Sequence, residues 1–192
     1  MKKIVILLFA VALAMPMMAQ NKGTKTTAKS STKSSSKAIT KSTATQETKV
    51  EDEQLPKVYD EDINAMEQIH QALDEANATG RKVICQVGGN WCPWCLRFAN
   101  FINKDEEINK VIEENYVYIH VNTSKVNKNA EAMKRLGNPG RFGYPVFVIL
   151  DHDGHVMQTQ SSECLEKDKS YDHEKVLAFF QNWTEKAIYN VK

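Results

Sequence analysis

Two cysteines three positions apart, Cys92 and Cys95, are the residues of this sequence best suited to carry chemistry. The apolar, β-branched run at 83–87 predicts a buried strand before them, and the run at 96–102 predicts a helix after them. Pro93 suits the first turn of that helix. A cysteine at a helix start faces unpaired N–H groups and the positive end of the helix dipole, which favour its thiolate. We therefore expect a redox pair in which Cys92 attacks and Cys95 resolves.

Two other interpretations of the pair are open. A C-x-x-C can be half of a zinc site, but the second half needs another close pair of cysteines or histidines. The other cysteines are Cys85 and Cys164, and a turn explains the close pair His152 and His155 better. A purely structural disulfide would close a loop too short to stabilise the fold much. We expect no metal and no organic cofactor.

The N-terminal part of the chain predicts export. Residues 1–19 combine two lysines, an apolar run at 4–14 and a plausible cleavage site after Ala19, the pattern of a cleaved signal peptide. Residues 20–56 are rich in Lys, Ser and Thr and poor in large apolar side chains, so we expect a disordered tether. The sequence thus predicts a periplasmic or otherwise exported protein, in a compartment where disulfides persist.

The charge of the remaining chain, residues 57–192, gives no reason to expect nucleic-acid binding. It holds 20 acidic and 16 basic residues, and no basic surface of the kind that binds a phosphate backbone is indicated. No separate dimerisation segment is visible either. We therefore expect a monomer whose partners are proteins.

Predicted helices and strands alternate along 57–192. The Asp-His-Asp-Gly turn at 151–154 joins the last two strands into an antiparallel hairpin. Its Asp-x-Asp-Gly is similar to a calcium loop, but the bidentate Glu downstream is missing, so we interpret it as a turn. The order predicts an α/β fold, one mixed sheet with helices on both faces. Helices are expected over 62–78, 96–102, 105–112, 127–136 and 172–189, and strands over 83–87, 116–121, 146–150 and 155–160.

From residue 62 to the C-terminus the sequence resembles the thioredoxin superfamily. The motif Trp91-Cys92-Pro93-Trp94-Cys95, between a strand and a helix, is similar to the family's Trp-Cys-x-x-Cys. The pair Tyr144-Pro145, before an apolar strand, is similar to the family's cis-proline. The resemblance implies a thioredoxin-like fold, a central mixed β-sheet flanked by helices on both faces. It also implies a thiol–disulfide oxidoreductase working in the reductase or isomerase direction.

The resemblance also assigns roles around the cysteines. Pro145 would form a cis peptide bond against them, and the backbone of Tyr144 would pair with an extended substrate segment. Trp91 would help to form the surface that substrates meet, together with the intervening residues Pro93 and Trp94. Partners would be substrate proteins with disulfides or thiols, and a redox partner that the sequence does not identify.

The sequence departs from the family at two places. Thioredoxins carry a buried acid six residues before the first cysteine, thought to assist proton transfer, whereas this chain has Gln86 there. Deprotonation of Cys95 must then use water or another group. The dipeptide Pro93-Trp94 replaces the Gly-Pro of thioredoxins and the Pro-His of strongly oxidising members. This dipeptide tunes the stability of the thiolate. Trp94 is bulky and carries no positive charge, which argues against a very strong oxidant.

Two further cysteines receive separate interpretations. Cys164 follows the end of the return strand, which in an antiparallel hairpin lies beside Pro145, so we expect a thiol bordering the substrate groove, or else a spare small residue. Cys85 lies within a strand and is expected to be a buried apolar residue.

A function of another class is also open. The chain could be a tethered module that holds extended peptides in the groove with little redox turnover. Metal capture by the cysteines is a third interpretation.

Overall fold

The computed structural model describes residues 55–189 of the 192-residue chain. The predicted signal peptide at 1–19 lies outside the described residues, as does the predicted tether except for its last two positions. Their boundaries stay predictions. Among the described helices, none combines the length and the apolar character that crossing a membrane requires.

Four strands form one mixed sheet in the order β2-β1-β3-β4. Strand β1 pairs in parallel with β2 and antiparallel with β3, and β3 pairs antiparallel with β4. The two central strands, β1 and β3, are buried along their whole length, which explains their nearly continuous apolar runs. The strands are β1 (Lys82–Gly88), β2 (Tyr116–Asn122), β3 (Val146–Leu150) and β4 (Val156–Ser161).

Helices cover both faces of the sheet, so the predicted fold class is confirmed. Alternate residues of β1 enter opposite cores: Val83, Cys85 and Val87 pack with α1 and α4, whereas Ile84 packs with α2, α3 and α5. This alternation is the strand period of two. The helices are α1 (Ala65–Thr79), α2 (Pro93–Lys104), α3 (Glu106–Asn115), α4 (Ala130–Arg135), α5 (His173–Asn182) and α6 (Glu185–Tyr189).

The predicted C-terminal helix over 172–189 is wrong as a single element. Asp172 does cap its start, where its side chain accepts a hydrogen bond from the N–H of Lys175. The helix ends at Asn182, and α6 begins after Thr184, whose hydroxyl accepts a hydrogen bond from the N–H of Ala187. Ala187, in this second helix, is exposed. The Thr184 hydroxyl thus caps a new helix in the middle of the apolar pattern that had predicted one continuous helix.

Helix α4 is shorter than the predicted span 127–136 because asparagines occupy its first positions. The side-chain amide of Asn127 donates to the carbonyls of Glu61 and Ile63, both 3.0 Å away. Asn129 has a positive φ of 45° and accepts from the N–H of Ala65. These bonds fasten the segment to the start of α1, and side-chain bonds to the backbone compete with helix formation. A short hairpin, β5 (Glu166–Lys167) and β6 (Ser170–Tyr171), was not predicted.

The ion pair between α5 and the start of α3 makes stability depend on pH. The hydrogen bond from His173 Nδ1 to Asp105 Oδ2 (2.6 Å) raises the pKa of His173. Burial acts to raise the pKa of Asp105, but hydrogen bonds from the Ile108 N–H and from His173 lower it overall. The pair stabilises the folded protein most at pH values where both groups are charged. This contribution to stability is lost as the pH rises through the folded-state pKa of His173.

We therefore expect the His173→Gln substitution to lower the free energy of unfolding more at about pH 5.5 than at about pH 8.5. Urea unfolding at the two pH values measures the difference. His70→Gln, at an exposed position of α1, is the matched control. An equal loss at both pH values would contradict the assignment.

Candidate active site

The cysteine pair lies at the junction of β1 and α2, where the sequence placed it. Cys92 is the N-cap of α2, and its sulfur accepts a hydrogen bond from the N–H of Cys95 at 3.1 Å. Pro93 is the first helical residue and is exposed. The two cysteines form a disulfide, with their Cα atoms 5.2 Å apart. Cys92 is 5% exposed and Cys95 fully buried, so an attacking group reaches Cys92 more easily.

Two tryptophans flank the disulfide. Trp91 is 53% exposed, and its indole N–H donates to the carbonyl of Thr123 at 2.8 Å. The ring of Tyr144 meets it edge to face, with centroids 5.3 Å apart. Trp94 is half-buried, with the Arg97 guanidinium 4.5 Å from its ring centroid. The rim of the site is therefore apolar and aromatic, with one cation stacked on it.

The peptide bond between Tyr144 and Pro145 is cis. Val87 and Val146 are register partners in the β1–β3 ladder, so the start of β3 lies at the same sheet end as the cysteines. The side chain of Tyr144 packs on the cluster that contains Cys92 and Cys95. The sheet register thus places Pro145 at the same end of the sheet as the cysteine pair.

Cys164 lies in a 3₁₀ turn, Ser162–Leu165, that directly follows β4. The N–H of Ser162 donates to the carbonyl of Pro145 at 3.3 Å, so this turn begins next to the cis-proline. The Cys164 thiol is free and exposed. Cys85 is also free, but it is fully buried, and burial raises its pKa to about 12. At neutral pH Cys85 is therefore protonated and inaccessible.

A groove of about 960 Å³ opens beside Trp91 and Tyr144. The side chains of Val126 and Met133 add apolar surface to its lining, and Glu61, Lys125 and Lys128 place both signs of charge around it. Val126 is 84% exposed. An apolar groove with exposed hydrophobic residues next to a reactive pair is suited to hold a peptide segment.

Beneath Cys95 lies a chain of buried hydrogen bonds centred on Gln86. Its amide nitrogen donates to the carbonyl of Cys95 at 3.0 Å and to the hydroxyl oxygen of Tyr59 at 2.6 Å. Its amide oxygen accepts from the hydroxyl of Tyr118 at 2.6 Å. The carbonyl of Cys95 can only accept, which fixes the orientation of the amide. Gln86 thus has a partner at each end although it is fully buried.

The groups around Gln86 are uncharged at neutral pH. Burial raises the pKa values of Tyr59 and Tyr118 above the ordinary tyrosine range. Burial also lowers the pKa of His120, which lies edge-on to both tyrosine rings, to about 4. Gln86, which stands where thioredoxins carry an ionisable acid, is therefore surrounded by side chains that are also uncharged at neutral pH. The pocket beneath Cys95 is polar but carries no charge.

The segment that carries Tyr59 precedes α1 and is held by Asn90, two residues before Cys92. The Asn90 side-chain oxygen accepts from the N–H groups of Val58 and Tyr59 at 3.2 and 3.1 Å. Its amide nitrogen donates to the carbonyl of Tyr59 at 2.8 Å. Sequence reasoning missed Tyr59 and assigned no role to Asn90. The one available signal was an asparagine, a good backbone partner, within the cysteine loop.

Away from this site, Asp151, Asp153 and His155 form the one group of described residues with metal-ligating atoms close together. Asp151 Oδ1 accepts from the N–H groups of Asp153 and His155 at 3.0 and 2.8 Å. These bonds close the turn between β3 and β4, at the end of β3 opposite Pro145. The geometry is accounted for by the turn.

Comparison with known proteins supports the fold. The profile of a thioredoxin-like domain family matches residues 69–163. A search of curated proteins found no match. The solved structure of a disulphide isomerase from Xylella fastidiosa Temecula1 superposes with a TM-score of 0.58 and 22% sequence identity, covering 65% of this chain and 94% of that one. At this identity the likeness shows the fold alone.

The Gln86 hydrogen bonds predict a large stability effect. In the Gln86→Leu variant the Tyr59 and Tyr118 hydroxyls and the Cys95 carbonyl lose a buried partner, so we expect unfolding to require about 3 kcal/mol less free energy. Urea unfolding of the oxidised protein measures it. Gln71→Leu, on the exposed side of α1, should change stability by less than about 0.5 kcal/mol. Equal effects of the two substitutions would contradict this account.

Proposed function

We propose that this chain, whose residues 69–163 match the profile of a thioredoxin-like domain family, is a thiol–disulfide oxidoreductase of the thioredoxin superfamily that acts on substrate proteins. The observation that supports this most is the Cys92–Cys95 disulfide at the start of α2, with the more accessible sulfur at the N-cap. An inert disulfide closing so short a loop would contribute little to stability. The cis-proline and the apolar groove beside the pair add a place for substrate.

In the proposed reaction Cys92 is the nucleophile. The N–H of Cys95 and the positive end of α2 stabilise its thiolate. The thiolate attacks a substrate disulfide, forms a mixed disulfide and releases one substrate thiolate, which takes up a proton. The Cys95 thiolate then attacks the Cys92 sulfur and releases the second substrate thiol. The site ends oxidised and the substrate reduced by two electrons, and the reverse sequence oxidises substrate thiols.

The substrate class follows from the surface around Cys92. We propose extended protein segments with an apolar side chain near the reacting cysteine. The groove beside Trp91 and Tyr144 would accept that side chain, and the backbone at Tyr144 would pair with the segment. Pro93 and Trp94 form the remaining rim, and the exposed Cys164 lies beyond Pro145.

The direction and the cellular setting belong to the proposal as well. A reductase or isomerase is favoured because Trp94 places no positive charge between the cysteines, and because the similar solved structure is named a disulphide isomerase. Export is supported by the predicted signal peptide at 1–19. We propose a monomer that works on exported proteins and is recharged by a separate redox partner.

One observation favours a second function, a peptide-binding module with little turnover. The described groups next to Gln86 are uncharged, and no described acid hydrogen-bonds to either cysteine. A site of that kind is compatible with binding in the groove alone. The two functions differ in what they require of Cys92.

The oxidoreductase predicts that Cys92→Ser lowers disulfide reduction of a model protein such as insulin by more than about 100-fold, because the nucleophile is lost. Cys95→Ser should instead accumulate mixed disulfides, visible on non-reducing gels and by mass spectrometry. Cys85→Ala, which removes a buried thiol of the core, is the matched control and should retain reduction activity. Equal activity of wild type and Cys92→Ser would favour the binding module.

Equilibration in glutathione or dithiothreitol buffers tests the direction. A two-electron transition near about −270 mV would fit a reductant, and one near about −120 mV would fit an oxidant and contradict the proposed direction. If no reversible transition occurs, the oxidoreductase proposal fails.

A further inference from the structure

The sulfur of Cys95 and the hydroxyl of Tyr59 border one small space at the end of β1. A methyl group on Gly88 would lie 2.5 Å from Cys95 Sγ and 2.9 Å from the Tyr59 hydroxyl oxygen. Gly88 has no side chain, so nothing of its own separates the two atoms. Tyr59 and Cys95 belong to one buried cluster, and Tyr59 is 5% exposed. The Tyr59 hydroxyl therefore lies next to the space that the Cys95 sulfur borders, where it can interact with that sulfur when the disulfide opens.

The hydrogen bonds around Gln86 leave the proton of Tyr59 available. Gln86 donates to the Tyr59 oxygen, and its orientation is fixed by its second bond, to the carbonyl of Cys95. Tyr59 therefore accepts from Gln86 and has its own O–H free to donate. No described residue accepts that hydrogen bond in the oxidised form. Gln86 itself has no hydrogen left to donate to the sulfur, because its two amide hydrogens are bonded to the Tyr59 oxygen and the Cys95 carbonyl.

We propose that Tyr59 is a positioning residue for Cys95. Once the disulfide opens, the Tyr59 hydroxyl donates a hydrogen bond to the Cys95 sulfur and stabilises the resolving thiolate. The inference deepens the proposed function and rests on it. A neutral donor favours a thiolate because hydrogen bonding to the charged form lowers a pKa, although burial opposes this. Tyr59 remains protonated throughout, since burial raises its pKa.

The step balances without any further reagent. In the mixed disulfide, the sulfur of Cys92 is bonded to a substrate sulfur and Cys95 is a thiol. Cys95 loses its proton to water as the Tyr59 hydroxyl supports the thiolate. The thiolate forms the Cys92–Cys95 bond, the bond to the substrate sulfur breaks, and the departing substrate thiolate takes a proton from water. Tyr59 is unchanged at the end.

Asn90 keeps the hydroxyl in place. Its side chain binds the backbone of Tyr59 on both the N–H and the C=O side. The same loop continues directly into Cys92, so the donor and the cysteine pair are fixed to one another. A hydrogen bond from a preorganised donor costs little ordering at the moment of reaction.

The test is the pKa of the Cys95 thiol, measured by thiolate absorbance as a function of pH in a Cys92→Ala, Cys164→Ser background, which removes the other free exposed thiol. The remaining thiol, Cys85, does not interfere because burial raises its pKa to about 12. Adding Tyr59→Phe keeps the ring and removes the hydroxyl, so we expect that pKa to rise by about one unit. Tyr116→Phe is the matched control: Tyr116 is a buried tyrosine whose hydroxyl donates to the carbonyl of Phe180 at 2.5 Å, at the opposite end of β1. It should leave the pKa of Cys95 unchanged.

A second variant and a kinetic readout complete the experiment. Asn90→Ala leaves Tyr59 intact but releases its segment, and we expect the pKa of Cys95 to rise in the same direction. With Cys92 present, Tyr59→Phe should slow resolution of a preformed mixed disulfide about tenfold near neutral pH, because fewer Cys95 thiolates are available.

An unchanged Cys95 pKa in Tyr59→Phe would overturn the inference and leave Tyr59 a packing residue, whatever Asn90→Ala does. The titration does not depend on turnover. A protein without a redox transition but with the expected pKa shift would therefore disprove the proposed function alone.

Discussion

A buried amide that must satisfy its hydrogen bonds inside the protein constrains the whole active-site end. Gln86 is fully buried on the α2 side of β1, and an unpaired amide there would cost several kcal/mol. Its partners come from three places: Tyr118 on the neighbouring strand, the carbonyl of Cys95 on α2, and Tyr59 from the segment before α1. The amide therefore connects the strand, the cysteine helix and the N-terminal segment.

The sheet supplies the other half of the geometry. Because β1 and β3 run antiparallel with Val87 opposite Val146, the end of one strand and the start of the other meet. Cys92 follows the first, and Pro145 precedes the second. Both strands are buried on both faces, so a one-residue register slip would move every side chain into the opposite core and disrupt the packing there. Core packing along β1 and β3, well away from the reacting atoms, thus determines where the cis-proline lies relative to the cysteines.

The sequence was informative wherever one local pattern decides the structure. The strands, the cysteine helix and the turn at 151–154 follow from periodicity and from Cys, Pro and Gly positions, and they were predicted. The break after α5 was missed because the Thr184 cap lies within an apolar pattern. Tyr59 was missed for a different reason: its role depends on contacts with Gln86 and Asn90, both about 30 positions away along the chain. No local pattern contains that information.

The neutrality of the pocket has a consequence for how the two thiols differ. Cys92 receives the N–H of Cys95 and the dipole of α2, which act on the first turn of the helix. Cys95 lies deeper, where burial disfavours a thiolate and where Tyr59, Tyr118 and His120 carry no charge at neutral pH. The two sulfurs thus have different surroundings: the N-terminal end of α2 favours a thiolate at Cys92, and burial opposes one at Cys95. Under the proposed function this difference assigns attack to Cys92 and resolution to Cys95, and it comes from burial and backbone dipoles, with no ionised side chain required.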